Sequence, residues 1–228
     1  LKLISENLVK LGYNISIIIL NDFKSKIKPN NKISYFFYND CIKLTTNKVV
    51  TNLKKIIFIR GLIKNYKPDL VFSFITETNV LAIISSIFLK CKLVISERND
   101  MENQHKQKVW VLLAHIFYRY SDLITANSKK SVTFLKKKFK NKKVRFLPNP
   151  VKEIKRLKIK KKKNILCVAK FENQKAHDIL IKAFAEEKLY KKGWKLILIG
   201  EGSLKKILED DVKKSRLSNF IVFKPYLD

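Results

Sequence analysis

Short apolar runs alternate with segments of helical periodicity along this chain. In its last third, residues 165–169 and 195–199 are apolar runs too short for a helix, and they fit buried parallel strands. Between them, residues 178–187 place their apolar side chains on one helical face. The second run ends at a Gly-Glu-Gly turn at residues 200–202, after which Ser203 is predicted to cap another helix. A strand–helix–strand–helix unit of this kind binds ligands at the carboxyl ends of its strands.

The same alternation continues through the rest of the chain and predicts an α/β fold with parallel sheets. Strands are predicted at residues 13–20, 33–38, 70–74, 92–96, 122–128, 144–147 and 220–223. Helices are predicted at residues 1–11, 48–65, 80–89, 106–120, 129–139 and 204–214. A basic, glycine-free stretch at residues 149–163 is predicted to link an amino-terminal Rossmann-like domain, residues 1–148, to a second one, residues 164–228.

The predicted helix at residues 106–120 allows two interpretations. It is apolar on most faces, basic at both ends, and carries Trp110, Tyr118 and Tyr120 near its tips. A helix that is apolar all round is usually buried, and we favour that interpretation. The alternative is an interfacial helix that lies on an anionic lipid surface.

Lysine dominates the charge of the 228-residue chain, whose net charge is +30 at a hydrophobic content of 46%. Such a charge attracts nucleic acid, anionic lipid headgroups and phosphorylated substrates alike. The isolated cysteines and histidines form no metal-binding motif, so we expect no metal site and no disulfide framework, and a reducing cytoplasm as the compartment. No apolar run reaches the ~20 residues of a membrane span, so any membrane contact is predicted to be peripheral.

The richest polar cluster of the first half follows the strand predicted at residues 92–96. Glu97, Arg98 and Asn99 lie at its carboxyl end, where an α/β sheet builds its crevice. We therefore regard them as candidate catalytic residues. The alternative is that Asn99 or Asp100 caps a helix and that Glu97 and Arg98 form a surface ion pair of little energetic value.

A second cluster follows the strand predicted at residues 165–169. Lys170 and Lys175 lie in the loop after this strand, beside the turn formed by Gly200, Glu201 and Gly202. Ammonium groups and the backbone N–H groups of a helix N-terminus suit a diphosphate. The alternative is that these are two more surface lysines in a lysine-rich protein.

Several of these segments together resemble the family 4 glycosyltransferases. Residues 168–184, V-A-K-F-x-x-Q-K-A-H-D-I-L-I-K-A-F, resemble the family signature V-G-R-L-x-x-x-K-G-x-D-x-L-I-x-A-F. Residues 194–203, W-K-L-I-L-I-G-E-G-S, resemble the strand and turn that follow it. The stretches K-P-D-L-V-F-S-F, S-E-R-N-D and P-N-P-V also have counterparts in the family, in the same order along the chain.

The resemblance implies a retaining, metal-independent hexosyltransferase of GT-B fold, with a truncated second domain. Such an enzyme transfers a sugar from a nucleotide-sugar, which we expect to be UDP-linked, to a saccharide or lipid-linked acceptor, without a cofactor. Lys170 stands at the family's Arg position and Lys175 at its Lys position, while Ala169 and Ala176 replace family glycines. The first strand with its G-G-x-E turn has no counterpart, and neither has the E-x7-E motif that the family carries after the strand predicted at residues 220–223, so we expect a fragment at both ends.

These implications set the expected surroundings of the protein. We expect a cytoplasmic location, with peripheral contact to the inner face of an anionic membrane, and no nucleic-acid partner. The competing class is a non-catalytic basic module that binds polyanions. Against a nucleic-acid binder, the lysines are spread over most predicted elements and no RNA-recognition, zinc-finger or basic-zipper pattern occurs. Against a dinucleotide oxidoreductase, no GxGxxG follows any predicted strand.

Overall fold

The computed structural model describes residues 2–20, 30–41, 47–101, 108–140, 142–151 and 160–226. The chain divides into two compact units, Leu1–Glu153 and Ile154–Asp228. This division falls within the basic stretch 149–163, of which residues 152–159 lie outside the described residues.

The first unit is built from parallel strands and the helices that connect them. Its helices are α1 (Lys2–Lys10), α2 (Tyr38–Cys41), α3 (Lys48–Tyr66), α4 (Thr76–Ser86), α5 (Lys108–Phe117) and α6 (Lys129–Lys138). Its strands are β1 (Ile15–Ile19), β2 (Ile33–Phe37), β3 (Leu70–Phe74), β4 (Lys92–Glu97), β5 (Leu123–Ala126) and β6 (Val144–Phe146). The strands β1 and β2 form a parallel pair, and β3-β4-β5-β6 form a parallel sheet in chain order.

The second unit repeats the strand–helix alternation on a smaller scale. Its elements are β7 (Asn164–Val168), α7 (His177–Glu186), β8 (Lys195–Ile199), α8 (Lys205–Lys214) and β9 (Ile221–Lys224). The three strands form a parallel sheet in the order β7-β8-β9. All of the strands predicted from apolar runs are present, most of them within two residues of their predicted ends, and the prediction of an α/β fold with parallel sheets is confirmed.

Each unit has its own apolar core. In the first, alternate residues of β4 and β5 pack against α4, α5 and α6, with Ile95, Ile124 and Leu135 fully buried. In the second, Leu196 and Leu198 of β8 pack against Phe184 of α7. Burying a side chain of this size stabilises a fold by roughly 1.5–3 kcal/mol, so these clusters hold each sheet to its helices.

Two predictions of burial are wrong. Helix α5 is not buried all round: Ala114 is its buried residue, whereas Leu112 is exposed, because α5 packs on the core with one side only. Strand β7 exposes Leu166 and Val168, because their face of the sheet is not covered by helices among the described residues. No helix within the described ranges is both long and apolar enough to cross a bilayer.

Candidate active site

The carboxyl end of β4 carries a buried carboxylate. Glu97 is the last residue of this strand, and its side chain has no solvent exposure. Its carboxylate accepts hydrogen bonds from Thr76 Oγ1 at 3.1 Å and from Asn79 Nδ2 at 3.1 Å, both in the first turns of α4. It also accepts one from the Tyr118 hydroxyl, in the 3₁₀ turn after α5. Glu97 therefore ties two helical segments to the end of a central strand.

No lysine or arginine forms an ion pair with Glu97 within the described part of the chain. Burial raises the pKa of Glu97, and the hydrogen bonds from Tyr118, Thr76 and Asn79 offset part of that rise. Burial and the neighbouring carboxylate together raise the pKa of Tyr118 well above its ordinary value. A buried carboxyl group with no described cation beside it depends on its hydrogen bonds, so each of the three partners contributes more than it would at the surface.

Asn79 is the centre of this network. Its Nδ2 also donates to the Ser96 carbonyl oxygen at 3.2 Å and lies 3.1 Å from the Tyr118 hydroxyl. Its Oδ1 accepts from Ser73 Oγ of β3 at 2.7 Å. Sequence reasoning missed Asn79, Ser73 and Tyr118 as functional neighbours of Glu97. The available signal was polar residues within otherwise apolar segments, which a buried network explains.

Arg98 extends from the same strand end in another direction. Its Nη1 donates to the Leu147 carbonyl oxygen at 3.1 Å and to Asn149 Oδ1 at 2.7 Å. Its guanidinium lies 5.4 Å from the centre of the Phe74 ring. Partial burial lowers the pKa of Arg98. The alternative interpretation of Glu97 and Arg98 as a surface ion pair is wrong, because Glu97 is buried and its oxygens contact other donors.

The residues beside Arg98 are held more loosely. Asn99 is exposed. Asp100 forms an ion pair with Lys130 at 3.5 Å across the start of α6. The Arg98 carbonyl oxygen accepts from Asn127 Nδ2 at 3.3 Å. The segment after β4 thus combines a fixed arginine with a solvent-facing amide.

The connection between β3 and α4 is strained at the same edge of the sheet. Ile75 has φ of 73° and ψ of 140°, and its N–H donates to the Ser96 carbonyl oxygen at 3.0 Å. A β-branched residue at positive φ is rare, and such a conformation costs about 1–3 kcal/mol. The hydrogen bond to Ser96 and the network around Glu97 hold α4 in place, and this packing maintains the strained conformation of Ile75.

In the second unit, the loop after β7 and the turn after β8 run side by side. The Ala169 N–H donates to the Ile199 carbonyl oxygen at 3.0 Å, and the Phe171 N–H to that of Glu201 at 3.0 Å. A Cβ atom added at Gly202 would lie 2.4 Å from the Phe171 carbonyl oxygen. The turn therefore needs glycine at position 202 for its close approach to the loop.

Lys170 and Lys175 have exposed side chains in this loop, and neither forms an ion pair or side-chain hydrogen bond with a described residue. The nearby carboxylates have other partners: Glu201 pairs with Lys205 at 3.2 Å, and Glu172 accepts from Ser203 Oγ at 3.2 Å. The prediction that Ser203 caps α8 is wrong, because its hydroxyl bonds to Glu172 and Leu204 is the N-cap. Two cations that form no ion pair with a described residue thus lie beside a glycine turn.

A left-handed residue joins Lys175 to α7. Lys175 ends a 3₁₀ turn, and Ala176 has φ of 51° and ψ of 45°. This is one of the two positions at which alanine replaces a glycine of the resembled signature. The backbone geometry explains the family's glycine, because a left-handed conformation costs an L-residue roughly 1–2 kcal/mol.

His177 begins α7 and is buried edge-on against the Phe171 ring at 5.0 Å. Neither ring nitrogen has a hydrogen-bond partner among the described residues. Burial lowers the pKa of His177, so the ring is held neutral beneath the loop that carries the lysines. Within the described ranges, no cluster of three or more His, Cys, Asp or Glu side chains is arranged to hold a metal ion.

Comparison with known proteins places these features in context. Residues 150–228 match the profile of the family described as glycosyl transferases group 1. Two proteins of Campylobacter jejuni are similar to this chain. One is the N-acetylgalactosamine-N,N'-diacetylbacillosaminyl-diphospho-undecaprenol 4-alpha-N-acetylgalactosaminyltransferase, 28% identical over 94% of this chain and 62% of the relative. The other is the GalNAc-alpha-(1->4)-GalNAc-alpha-(1->3)-diNAcBac-PP-undecaprenol alpha-1,4-N-acetyl-D-galactosaminyltransferase, 27% identical over 73% of this chain and 47% of the relative.

This chain therefore spans between about half and two thirds of the length of these relatives. Among solved structures, sucrose-phosphate synthase from Thermosynechococcus elongatus superposes with a TM-score of 0.72, over 97% of this chain and 62% of that one, at 12% identity. That likeness shows the fold. The chain thus has the α/β fold of the GT-B glycosyltransferases, and its residues 150–228 carry the sequence features of the group 1 glycosyl transferases.

Proposed function

We propose that this chain provides the amino-terminal domain and the first part of the donor domain of a retaining, family 4 glycosyltransferase. The enzyme transfers a sugar from a UDP-linked donor to a saccharide or lipid-linked acceptor. The observation that carries this proposal is the pair of exposed lysines, without an ion pair among the described residues, beside the glycine turn and within the segment that matches the group 1 profile. Both Campylobacter relatives act on diphospho-undecaprenol-linked saccharides, which favours a lipid-linked acceptor here too.

The donor diphosphate would bind at the carboxyl end of β7. Lys170 and Lys175 would offset the negative charge that develops on the departing diphosphate, and the turn of Gly200, Glu201 and Gly202 would bring backbone close to it. A preorganised charge of this kind typically lowers a barrier by ~2–4 kcal/mol. Lysine at position 170 contacts phosphate as a point charge and lacks the two-pronged geometry of arginine.

The polar end of β4 would contribute to the acceptor side. Asn99 is exposed, and Arg98 Nη2 is buried with no hydrogen-bond partner among the described residues, so we assign these two side chains the contact with substrate. Glu97 is enclosed by its donors, so we assign it the positioning of the strand end that carries Arg98 and Asn99. Glu97, Arg98 and Asn99 thus stay candidate site residues, Glu97 for positioning and the other two for contact with substrate.

The direct test measures nucleotide binding by thermal unfolding of the full chain. We expect UDP to raise the unfolding temperature, and the double variant Lys170→Ala/Lys175→Ala to reduce that rise strongly. At a ligand concentration of 100 times Kd, the stabilisation is about 2.7 kcal/mol. The matched control is Lys206→Ala/Lys214→Ala, which removes the same charge from exposed positions of α8 and should respond to UDP like the parent.

Two outcomes would contradict the donor-site assignment. One is the absence of any UDP effect on the parent chain, and the other is an equal response of both double variants. The alternative function, a non-catalytic polyanion binder, predicts salt-sensitive retention on heparin that both double variants reduce alike. A donor site predicts a loss that is specific to the loop variant.

We also propose that the protein works in the cytoplasm at the inner face of a membrane. A lipid-linked acceptor places the reaction at a bilayer surface, and the net charge of +30 favours an anionic one.

A further inference from the structure

The carboxyl end of β4 presents different groups on its two sides. Glu97 and its donors occupy one side, whereas Ser96 and Arg98, each one position away, leave the strand on the other. The Ser96 side chain is fully buried, and Ser96 Oγ has no hydrogen-bond partner among the described residues. Arg98 Nη2 is likewise buried without such a partner. Two orphaned polar groups thus lie within residues 96–98, at the sheet edge where α/β folds bind ligands.

The register of the sheet brings both groups beside the same aromatic ring. Phe74 of β3 is the in-register neighbour of Ser96 in the parallel sheet, so their side chains point to the same side. The Arg98 guanidinium lies 5.4 Å from the centre of the Phe74 ring. An aromatic ring against a guanidinium stabilises it and leaves its N–H groups available to a planar partner.

The hydrogen bonds of Arg98 leave from one arm of its guanidinium. Nη1 donates to the Leu147 carbonyl oxygen at 3.1 Å and to Asn149 Oδ1 at 2.7 Å. Both acceptors are neutral amide oxygens, so these bonds anchor the side chain without balancing its charge. The Nη2 arm is the part of the guanidinium that still needs an acceptor.

Arg98 has no acidic partner within the described part of the chain. Glu97 is bonded to its three donors on the other side of the strand, and Asp100 pairs with Lys130 at 3.5 Å. Partial burial lowers the pKa of Arg98, and no carboxylate opposes that effect. A partly desolvated cation without an anion carries a cost in free energy, which a bound oxyanion would reduce.

We propose that Arg98 and Ser96 form a subsite for one oxyanionic group on the saccharide of the acceptor, a carboxylate or a phosphate. Arg98 supplies the charged N–H contact through Nη2, and Ser96 supplies a neutral O–H donor on the same side. An oxyanion matches a guanidinium in both shape and charge, whereas a sugar hydroxyl matches neither. The acceptor saccharide is then anionic. The proposal rests on the proposed function only for the role of this ligand as acceptor.

Thermal unfolding of the full chain with sugar probes tests this subsite. The probes are glucuronate, glucose 6-phosphate and glucose, all at one ionic strength set with sodium chloride, so that screening of the basic surface is equal. We expect at least one of the anionic sugars to raise the unfolding temperature, and glucose to leave it unchanged. A larger rise with glucuronate identifies a carboxylate as the group bound, and a larger rise with glucose 6-phosphate identifies a phosphate.

The variant Ser96→Ala separates binding from folding. It removes a buried hydroxyl that has no described partner, so the stability without ligand should stay equal or increase. Its Kd for the anionic sugar should nevertheless rise about threefold or more, because one donor is lost.

Substitutions of Arg98 measure the contribution of its charge. Arg98→Gln should raise the Kd about tenfold or more, and Arg98→Lys, which keeps the charge without the two-armed geometry, should recover part of that loss. The matched control is Arg145→Gln, which removes an exposed arginine from β6 and should bind like the parent.

Three results would overturn the proposal. They are equal protection by glucose and the anionic sugars, no protection by any of them, and parent-like responses of Ser96→Ala and of Arg98→Gln. Circular dichroism checks that the variants fold, and Ser96→Ala decides alone if Arg98→Gln does not. Lys170→Ala/Lys175→Ala should keep the response to the anionic sugar, and its loss there would assign the response to the donor site instead. Because UDP is absent, the donor-site test can fail without changing this result.

Discussion

The two candidate clusters differ in whether their polar side chains are buried and bonded or exposed to solvent. Around Glu97, polar groups from β3, β4, α4 and the turn after α5 bond to one another and are closed to solvent. Around Lys170 and Lys175, the backbone is closely packed while the charged side chains are left open. The first cluster is largely bonded within itself, although the Ser96 hydroxyl and Arg98 Nη2 beside it have no partner among the described residues. The second cluster leaves its ammonium groups exposed. The difference indicates that the first cluster mainly fixes a shape, whereas the second keeps its charges accessible.

The largest effect should come from opening the closed cluster. In Asn79→Ala, the carboxylate of Glu97, the hydroxyl of Ser73 and the carbonyl of Ser96 each lose a partner in a buried site. We expect the free energy of unfolding to fall by about 2–4 kcal/mol, because unsatisfied buried polar groups carry their full desolvation penalty. Urea unfolding followed by fluorescence measures it. The control Asn65→Ala, at an exposed position of α3, should change stability by less than about 0.5 kcal/mol.

The next largest effect tests the close backbone contact of the open cluster. In Gly202→Ala the new Cβ would meet the Phe171 carbonyl oxygen, so the turn and the loop must move apart. We expect a loss of roughly 1–3 kcal/mol and a weaker response to UDP. Gly61→Ala in α3 is the control, because its Cβ meets nothing within 4 Å. This change should be neutral or stabilise by up to about 1 kcal/mol, and a loss of similar size in both variants would contradict the contact argument.

A third experiment tests whether the ionisation of Glu97 changes the stability of the protein with pH. Because folding raises the pKa of Glu97, the native state favours its protonated form. That contribution to stability is fully present below the ordinary pKa of glutamate, about 4.3, and is lost as pH rises through the raised value in the folded state. Glu97→Gln should remove this part of the pH dependence and flatten the slope of unfolding free energy above pH 4.

The control for this slope is Asp69→Asn, which removes an exposed carboxylate of the same unit. Its unfolding free energy should follow the parent's dependence on pH. If Glu97→Gln leaves the slope unchanged as well, the carboxylate of Glu97 is not the group that responds.

The smallest effect concerns the left-handed residue before α7. Ala176→Gly relieves the strain at positive φ but makes the unfolded chain more flexible, so we expect a net gain of about 0.5 kcal/mol. Ala183→Gly, at an exposed position inside α7, should instead lose about 1 kcal/mol. Chemical denaturation of the two variants should give opposite signs, and a loss for Ala176→Gly would show that the strain is small.

The sequence predicts strands better than it predicts burial. Apolar runs such as those of β4 and β8 mark parallel strands directly, because both of their faces are apolar. Helix α5 has the same composition on all faces, so its sequence does not distinguish the packed side from the exposed side, which carries Leu112 and Ile116. The positions of α4 and α6 decide which side of α5 is buried. The local sequence of α5 does not specify those positions.

The candidate sites also combine features that local sequence predicts with features that depend on tertiary packing. Lys170 and Gly202 could be placed in neighbouring loops because the carboxyl ends of adjacent parallel strands meet at one sheet edge. The network around Glu97 could not be foreseen, because Asn79 and Tyr118 are separated by 39 positions and meet only through the packing of α4 against α5. The position of Ser203 predicts a helix cap, but its O–H and its N–H both donate to Glu172, and Leu204 is the N-cap of α8.

The open face of β7 bears on the solubility of the protein. Leu166 and Val168 face outward on a strand at the edge of the described three-stranded sheet. Exposed apolar edge strands pair readily with those of other molecules and lead to aggregation. Four consecutive lysines, residues 160–163, come directly before this strand. Repulsion between these lysines and those of a second molecule should oppose edge-to-edge pairing of β7, and concentrated salt, which screens that repulsion, is expected to promote self-association.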